Sequence, residues 1–335
     1  MNAEKECAVL QFLVKAEAFI SRRFPLLILV SVIVGAGFPS VFSFLNQLTV
    51  PMFAFITFYS SLGGSFRDMA LVARHPLPVI SVWCLMHVVL PPVVLLAGMA
   101  LFPEAPLFTT GLVLEFSIPT GVASLMWVGM AGGNLSLCLA LVLLDTLLSP
   151  VVIPLTLQVL LGSVVEMDPW GMMGNLMIMV AIPAVAAMTL FQLTGGRSAE
   201  YLKPRLGAFS KTFMLLVVVA NGTDCAPFLR HLTPQLILVI AAVFCLCVVG
   251  FLAGYWMGRL QRRDYPTITT MTLATGLRNI SAGAVLASQY FPPDVLFPVA
   301  LTPLFLQVMA SIVLQILQRT KPARAWAASQ AEHPA

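Results

Sequence analysis

Apolar runs of membrane-crossing length recur along the whole chain, and short polar or basic connections separate them. A helix needs about 20 mostly apolar residues to cross the hydrocarbon core of a bilayer. The pattern therefore predicts an all-α polytopic membrane protein with ten transmembrane helices. These helices are predicted at about residues 24–43, 48–64, 77–102, 107–131, 134–161, 170–194, 211–228, 235–258, 267–290 and 295–318.

The distribution of Lys and Arg predicts the orientation of these helices. Cytoplasmic loops of membrane proteins carry an excess of basic residues. If the N-terminus is cytoplasmic, every Lys and Arg except Arg230 and Arg278 falls in a cytoplasmic segment. An odd number of spans would break this segregation. We therefore predict a multi-pass protein of the cell (inner) membrane with both termini in the cytoplasm. The acidic residues that fall on the outside are Glu104, Glu166, Asp168 and Asp294.

The composition agrees with a membrane protein and excludes other classes. Of the 335 residues, 59% are hydrophobic and only 10% are charged, which is more apolar surface than a soluble domain can bury. The net charge of +4 is dispersed through loops and tails, so no nucleic-acid partner is expected. The cysteines lie mostly in apolar runs, where Cys behaves as a small hydrophobe. We expect no disulfide framework and no metal site.

Ten helices divide into two groups of five, which we predict to be repeats of opposite topology. The first repeat covers 24–161 and the second covers 170–318, between an N-terminal segment, 1–23, and a tail, 319–335, which are both cytoplasmic. An offset of 155 residues places Pro119–Leu125 over Ala274–Ile280, so that two Thr-Gly pairs coincide. Because each half has an odd number of spans, the halves are inverted relative to each other.

Each half contains residues that interrupt a helix at matching positions. Pro119 lacks a backbone donor and disfavours helix at the residue before it, and Gly276 gives similar freedom in the ninth predicted helix. Interrupted helices in hydrocarbon line a cavity or are buried against protein. Discontinuous fourth and ninth helices that cross near the midplane thus predict a substrate site; kinks without function are the alternative. The predicted substrate-binding residues are Pro119, Thr120, Gly121, Ser124, Thr275, Gly276, Arg278 and Asn279.

Ionisable residues within the predicted helices mark further candidates. Arg278 lies near the middle of its helix, where an isolated cation costs about 2.5 to 17 kcal/mol. Asp145 lies at a similar depth and is the leading candidate for its partner, and Glu115 is the second candidate. A neutralised pair that only fixes helix packing is the alternative. Asp224 lies near the outer end of its helix, and His87 is predicted to form a hydrogen bond with a neighbouring helix.

Two stretches resemble the bile acid:sodium symporter family. Where the family reads Pro-Gly-Gly-Thr-Ala-Ser-Asn in its fourth helix, this chain has Pro119–Leu125, and the family's Glu-x-Gly-x-Gln-Asn of the ninth helix is Ala274–Asn279 here. The similarity extends from about residue 15 to 318. The resemblance implies ten helices, a panel domain and a core domain each drawn from both repeats, and two unwound helices that cross at the midplane.

The sodium ligands that the resemblance implies are largely replaced. Ser124 is kept, but alkali cations prefer hard oxygen ligands that most of the other positions cannot supply. A guanidinium at such a position is a permanent positive charge. We therefore hypothesise that Arg278 takes the place of a sodium ion and that Asp145 partly replaces the lost carboxylate. The positions that depart from the family pattern are Met86, Leu125, Cys138, Val142, Ala274 and Arg278.

These features predict a secondary active transporter of a small organic anion that works by alternating access within a lipid bilayer. Coupling to sodium, coupling to protons through Glu115 or Asp145, and uncoupled exchange all stay open. An intramembrane enzyme is the remote alternative, because the chain lacks the usual metalloprotease and serine-nucleophile motifs. We expect no enzymatic activity and no cofactor apart from the sodium that the resemblance implies. Substrate, direction and oligomeric state are not predicted.

Overall fold

A computed structural model describes residues 2–67, 76–162, 168–230 and 233–320. Apart from one isolated β-bridge, these residues form helices and the connections between them. The predicted all-α class is confirmed. The helices are α1 (Asn2–Arg22), α2 (Phe24–Gly37), α3 (Pro39–Phe42), α4 (Thr49–Ser61), α5 (Pro76–Leu101), α6 (Pro106–Ser117), α7 (Ala123–Met130), α8 (Leu135–Leu161), α9 (Pro169–Leu193), α10 (Arg197–Arg230), α11 (Pro234–Leu260), α12 (Tyr265–Gly276), α13 (Ile280–Tyr290) and α14 (Pro293–Gln318).

Judged by length and composition, fewer helices qualify as membrane spans than the ten predicted. Within the described residues, six helices are long and apolar enough to cross a bilayer, and up to eight qualify if each bent pair counts as one span. The count of ten is therefore not confirmed. The predicted fourth and ninth spans coincide with the pairs α6/α7 and α12/α13, whose single helices have 8 to 12 residues and are too short to cross alone.

Some of the sequence predictions fall on residues that are not described. The predicted tail is described only as far as residue 320, and the basic and acidic residues Arg74 and Glu166, which entered the orientation argument, lie in the segments 68–75 and 163–167 outside the described part. The predicted N-terminal segment, 1–23, corresponds to α1, which meets α2 at an angle of 82°.

Polar caps fix where the central helices begin. The side chain of Asn134 accepts a hydrogen bond from the Leu137 N–H at 3.0 Å and starts α8. Asp264 starts α12 and Asn279 starts α13 in the same way. Such caps satisfy backbone donors that have no partner within the helix. The Asn134 N–H also donates to the Pro266 carbonyl, so α8 and α12 begin side by side, whereas Asn279 starts α13 directly after the interruption.

Burial is distributed as expected for a protein surrounded by lipid. Thr270 and Thr275 of α12 are fully buried, whereas Leu96 is 68% exposed and Val159 is 80% exposed. Soluble proteins rarely leave so many large apolar side chains on their surface. The short helices α6, α12 and α13 are buried over most of their length, and the longer helices turn apolar faces outward.

Candidate functional site

Two interrupted helices meet at an antiparallel backbone crossing. After α6 the chain is extended at Ile118, and after α12 it is extended at Leu277. The Gly121 N–H donates to the Leu277 carbonyl at 2.8 Å, and the Asn279 N–H donates to the Pro119 carbonyl at 2.8 Å. These bonds satisfy the backbone groups that the interruptions would otherwise leave unpaired. The predicted interruptions thus lie against each other.

The crossing requires a glycine at position 121. A β-carbon on Gly121 would lie 2.6 Å from the carbonyl oxygen of Arg278 and 3.0 Å from its carbonyl carbon. Because the obstacle is backbone rather than a flexible side chain, no rotamer change could relieve the contact. The glycine therefore allows the two chains to approach closely.

Arg278 is buried at the crossing, with an exposed fraction of 6%. Its Nη1 donates to the Ile118 carbonyl oxygen at 3.2 Å, and its guanidinium lies 5.2 Å from the centroid of the Phe116 ring. Both contacts are at the C-terminal end of α6, where the helix dipole favours a cation. Nε and Nη2 have no hydrogen-bond partner among the described residues. The side chain therefore holds two unpaired donors in the protein interior.

Asp145 pairs with His87 and with the interrupted backbone. Its Oδ1 lies 2.6 Å from His87 Nε2, and its Oδ2 accepts a hydrogen bond of 2.6 Å from the Thr120 N–H. The prediction that His87 forms a hydrogen bond with a neighbouring helix is confirmed. Asp145, the leading candidate for the partner of Arg278, interacts with it electrostatically, but no ion pair joins the two described side chains.

Glu115, the second candidate partner, is buried on α6 without a hydrogen bond. Its exposed fraction is 1%, and neither carboxylate oxygen has a partner that meets hydrogen-bond geometry in the described part of the chain. The carboxylate lies close enough to Arg278 for an electrostatic interaction, and the Thr302 side chain of α14 is nearby. A buried cation and a buried anion thus share one region without direct contact.

The positions that hold sodium in the resembling family are poor in oxygen ligands here. The Thr120 hydroxyl lies 3.5 Å from the sulfur of Met86 and donates to the Ala274 carbonyl at 3.3 Å. The Ser124 hydroxyl lies 3.3 Å from the Cys138 sulfur. Thioether and thiol groups are weak ligands for an alkali cation. The residues around both positions do not fit a sodium ion.

The other predicted residues divide into two groups. Thr275 and Gly276 lie in the buried last turn of α12, where Gly276 packs against Phe251. The side chain of Asn279 caps α13 by accepting a hydrogen bond from the Ala282 N–H. Asp224 forms no hydrogen bond with the crossing residues in the described part of the chain. Its carboxylate accepts a hydrogen bond of 2.9 Å from the Asn46 side chain.

Two cavities begin at the helix starts that follow the interruptions. One, of about 50 Å³, is lined by α2, α10, α13 and α14 and includes Ile280 and Ser281 at the start of α13. The other, of about 240 Å³, includes Leu125 of α7 and Lys203 of α10. The sequence did not predict that Ser281 and Lys203 line these cavities, because hydropathy does not indicate which helices face each other.

Comparison with known proteins gives one consistent result. The model of the Sodium Bile acid symporter family matches residues 50–224. The uncharacterized protein YbaS of Bacillus subtilis is 37% identical over 298 residues, which cover 88% of this chain and 96% of that protein. The uncharacterized sodium-dependent transporter YocS of the same species is 24% identical over 83% of this chain and 85% of its own. A probable chloroplastic sodium/metabolite cotransporter of rice, BASS3, is 23% identical over 84% of this chain and 66% of its own.

Proposed function

This chain belongs to the sodium bile acid symporter family, and from that premise we propose that it is a secondary active transporter that moves a small organic anion by alternating access. The relatives whose printed names give a function are named as transporters, and no observation favours an intramembrane enzyme. The anionic substrate, the mechanism and the coupling are our inferences.

The unpaired guanidinium of Arg278 carries the proposal. It is buried where two helix interruptions meet, and its Nε and Nη2 are unused by the described residues. A buried donor without a partner costs about 1–3 kcal/mol. An arginine fork matches a carboxylate in geometry and charge. A bound organic anion would satisfy both donors and lower that cost.

We infer ten membrane spans from the two interrupted pairs. If each interrupted pair crosses the bilayer once, the eight candidate spans become ten. The helices α6 and α12 both have 12 residues, both begin with a proline in the first turn, and both end at an interruption. This equivalence supports two inverted five-helix repeats.

Helix packing supports a division into panel and core. The helices α2 and α4 contact α10, and α9 contacts α4, which would make these four the panel. The core would contain α5–α8 and α11–α14. Both cavities lie between helices of the two groups. Movement of the core against the panel would then expose the crossing to each side of the membrane in turn.

The coupling ion in this proposal is a proton rather than sodium. The Asp145–His87 pair holds the interrupted backbone through the Thr120 N–H, so a change in its protonation acts directly on the crossing. Glu115 and Arg278 are the other charged groups that interact there. Uncoupled exchange is the alternative, and it would show no dependence on a pH gradient.

Transport by reconstituted protein tests the proposal. Counterflow of labelled cholate and labelled pyruvate would be measured in proteoliposomes with and without sodium and with and without a pH gradient. We expect saturable, sodium-independent flux of at least one anion. Arg278→Gln should weaken its apparent affinity by about tenfold or more, because charge-assisted hydrogen bonds contribute about 1.5–3 kcal/mol each.

Arg205→Gln is the matched control, because it removes the same charge from α10. The Arg205 guanidinium stacks on the Tyr201 ring at 3.6 Å and donates to the Tyr201 carbonyl at 2.8 Å. That variant should transport normally. Unchanged flux in Arg278→Gln would refute the role of the guanidinium, and flux that requires sodium would refute the proposed coupling.

A further inference from the structure

The first helix, α1, has the composition and direction of a helix that lies on a membrane surface. Charged residues are spread along it, and it meets α2 at an angle of 82°. Because α2 carries the apolar residues with which the first predicted span begins, a helix nearly perpendicular to it runs along the bilayer rather than through it. The positive-inside distribution predicts that α1 lies on the cytoplasmic side.

One side of α1 is fixed to the rest of the protein. Leu13 and Ile20 share this side with Glu17 at helical spacing, and all three are half-buried. The Glu17 carboxylate accepts a hydrogen bond of 2.8 Å from Lys211 Nζ and one of 3.3 Å from the Tyr59 hydroxyl. These bonds tie α1 to α10 and α4, two helices of the proposed panel. The other sides of α1 therefore keep a fixed direction.

A second side of α1 repeats one pattern after seven residues. Phe12-x-x-Lys15 is followed by Phe19-x-x-Arg22. Positions seven apart lie on the same side of a helix, so the two phenylalanines form one row and the two basic residues form a second row beside it. Phe12 is 70% exposed and Phe19 is 54% exposed. An aromatic row with a basic row at its edge is the arrangement found in interfacial helices.

The basic row has no acidic partner in the part of the chain that the structure describes. Lys15 and Arg22 are exposed, and neither forms an ion pair with another described residue. The guanidinium of Arg23, just after α1, lies 4.4 Å from the centroid of the Phe19 ring. Arginine and lysine at a membrane surface place their apolar stems along the lipid and their charges among the headgroups. Charge complementarity therefore favours anionic headgroups at this row.

We propose that α1 binds anionic phospholipids of the cytoplasmic leaflet. Phe12 and Phe19 enter the acyl-chain region, and the three basic side chains contact the phosphate groups. A zwitterionic lipid could cover the aromatic row, but its own cationic group would offset the attraction to the basic row. This binding does not involve the crossing, so it goes beyond the proposed function, and either proposal can fail while the other stands.

Quenching by labelled lipids tests this binding. In a full-length background without the native cysteines, a cysteine replaces Phe12 and carries a nitrobenzoxadiazole label. The protein is placed in phosphatidylcholine nanodiscs that contain a small fraction of nitroxide-labelled phosphatidylglycerol or nitroxide-labelled phosphatidylcholine. We expect strong quenching by the lipid nitroxides, a clear preference for phosphatidylglycerol and little quenching by aqueous iodide. The same label on Ala18, which is exposed on a third side of α1, should be quenched mainly by iodide.

Charge variants separate headgroup binding from apolar contact. Lys15→Gln combined with Arg22→Gln should lower the relative association constant for phosphatidylglycerol about fivefold for each charge removed, since one basic residue near an anionic surface contributes about 1 kcal/mol. Lys15→Arg combined with Arg22→Lys keeps both charges and should keep the preference. Arg259→Gln removes one charge from the last turn of α11 and should leave the preference unchanged.

Three results would overturn the inference. They are equal quenching of the Phe12 position by the two labelled lipids, stronger quenching by iodide at Phe12 than at Ala18, and a preference for phosphatidylglycerol that persists when both charges are removed. A failure of anion transport would refute only the proposed function.

Discussion

At the scale of single residues, three buried charges are stabilised in different ways. Asp145 has a hydrogen-bonded imidazole and a backbone N–H, Arg278 has one carbonyl and an aromatic face, and Glu115 has no hydrogen bond within the described chain. Removing one partner of a buried charge is strongly destabilising, whereas a buried charge with unused hydrogen-bonding groups can gain free energy from a ligand. Asp145 thus holds the crossing through the Thr120 N–H, and Arg278 keeps two donors without a partner among the described residues, as the proposed anion site requires.

The pairing of Asp145 with His87 predicts a large effect on stability. His87→Ala removes the main partner of a carboxylate that is 3% exposed. Breaking one side of a buried pair costs about 3–5 kcal/mol, since the other charge remains uncompensated. We expect a clear fall in the thermal unfolding temperature of the detergent-solubilised protein.

The control for this prediction is a conservative variant. His87→Gln keeps a hydrogen-bond donor beside Asp145 and leaves the bond from the Thr120 N–H in place, so it should be less destabilising than His87→Ala. If His87→Ala melts like the wild type, the hydrogen bond does not stabilise the fold.

For single residues, the sequence was more accurate in predicting which side chains lie near each other than in predicting which of them pair. Counting residues along α8 and the ninth predicted span correctly placed Asp145 and Arg278 near the same crossing. It could not show that the carboxylate points to His87 and Thr120 while the guanidinium points to Ile118. Side-chain directions at a helix interruption depend on the local backbone, which hydropathy does not describe.

At the scale of elements, each interrupted helix completes the hydrogen bonds of the other. The short bridge between Thr120 and Arg278 works only because both chains are extended at the same level. The proline and glycine signals predicted these interruptions correctly, since both residues act on the backbone itself. Their mutual hydrogen bonds follow from the antiparallel arrangement, which the proposed inverted repeat would produce.

Gly121→Ala tests how closely the elements must approach. Its new methyl group would lie 2.6 Å from the Arg278 carbonyl oxygen, so the two backbones must separate. Overpacking of this kind costs about 1–3 kcal/mol, and we expect both a lower unfolding temperature and a loss of anion flux.

Gly174→Ala is the matched control on α9, where nothing lies within 4 Å of the added β-carbon. Alanine is the better helix former, so that variant should be at least as stable as the wild type. Equal stability of the two variants would show that the crossing is not tightly packed.

At the scale of the whole molecule, hydropathy predicted the apolar helices well and their polar extensions poorly. The predicted span 134–161 is observed as Leu135–Leu161, because an asparagine cap and a long apolar run define it. The predicted span 211–228 lies within a much longer helix, Arg197–Arg230. The polar first half of this helix, which contains Lys203, was predicted as a connection between spans, because hydropathy does not detect a helix with a polar face.

The remaining question at this scale is whether the interrupted pairs cross the membrane or return to the side from which they entered. Crossing requires the two ends of each pair to lie on opposite sides of the bilayer. The connection before α6 contains Glu104 and the start of α8 contains Ser136, and both residues are exposed. Arg262 and Asp294 flank the other pair, α12 and α13.

Single cysteines at these four positions decide between the two arrangements, in a background from which the native cysteines, including the exposed Cys245, are removed. With a membrane-impermeant maleimide on intact cells, we expect cysteines replacing Glu104 and Asp294 to react. Cysteines replacing Ser136 and Arg262 should react only after permeabilisation, because the positive-inside distribution places their connections in the cytoplasm. Labelling of both ends of a pair from the same side would make that pair re-entrant. The protein would then have fewer than ten spans, and the proposed cavities could not open to opposite sides of the membrane.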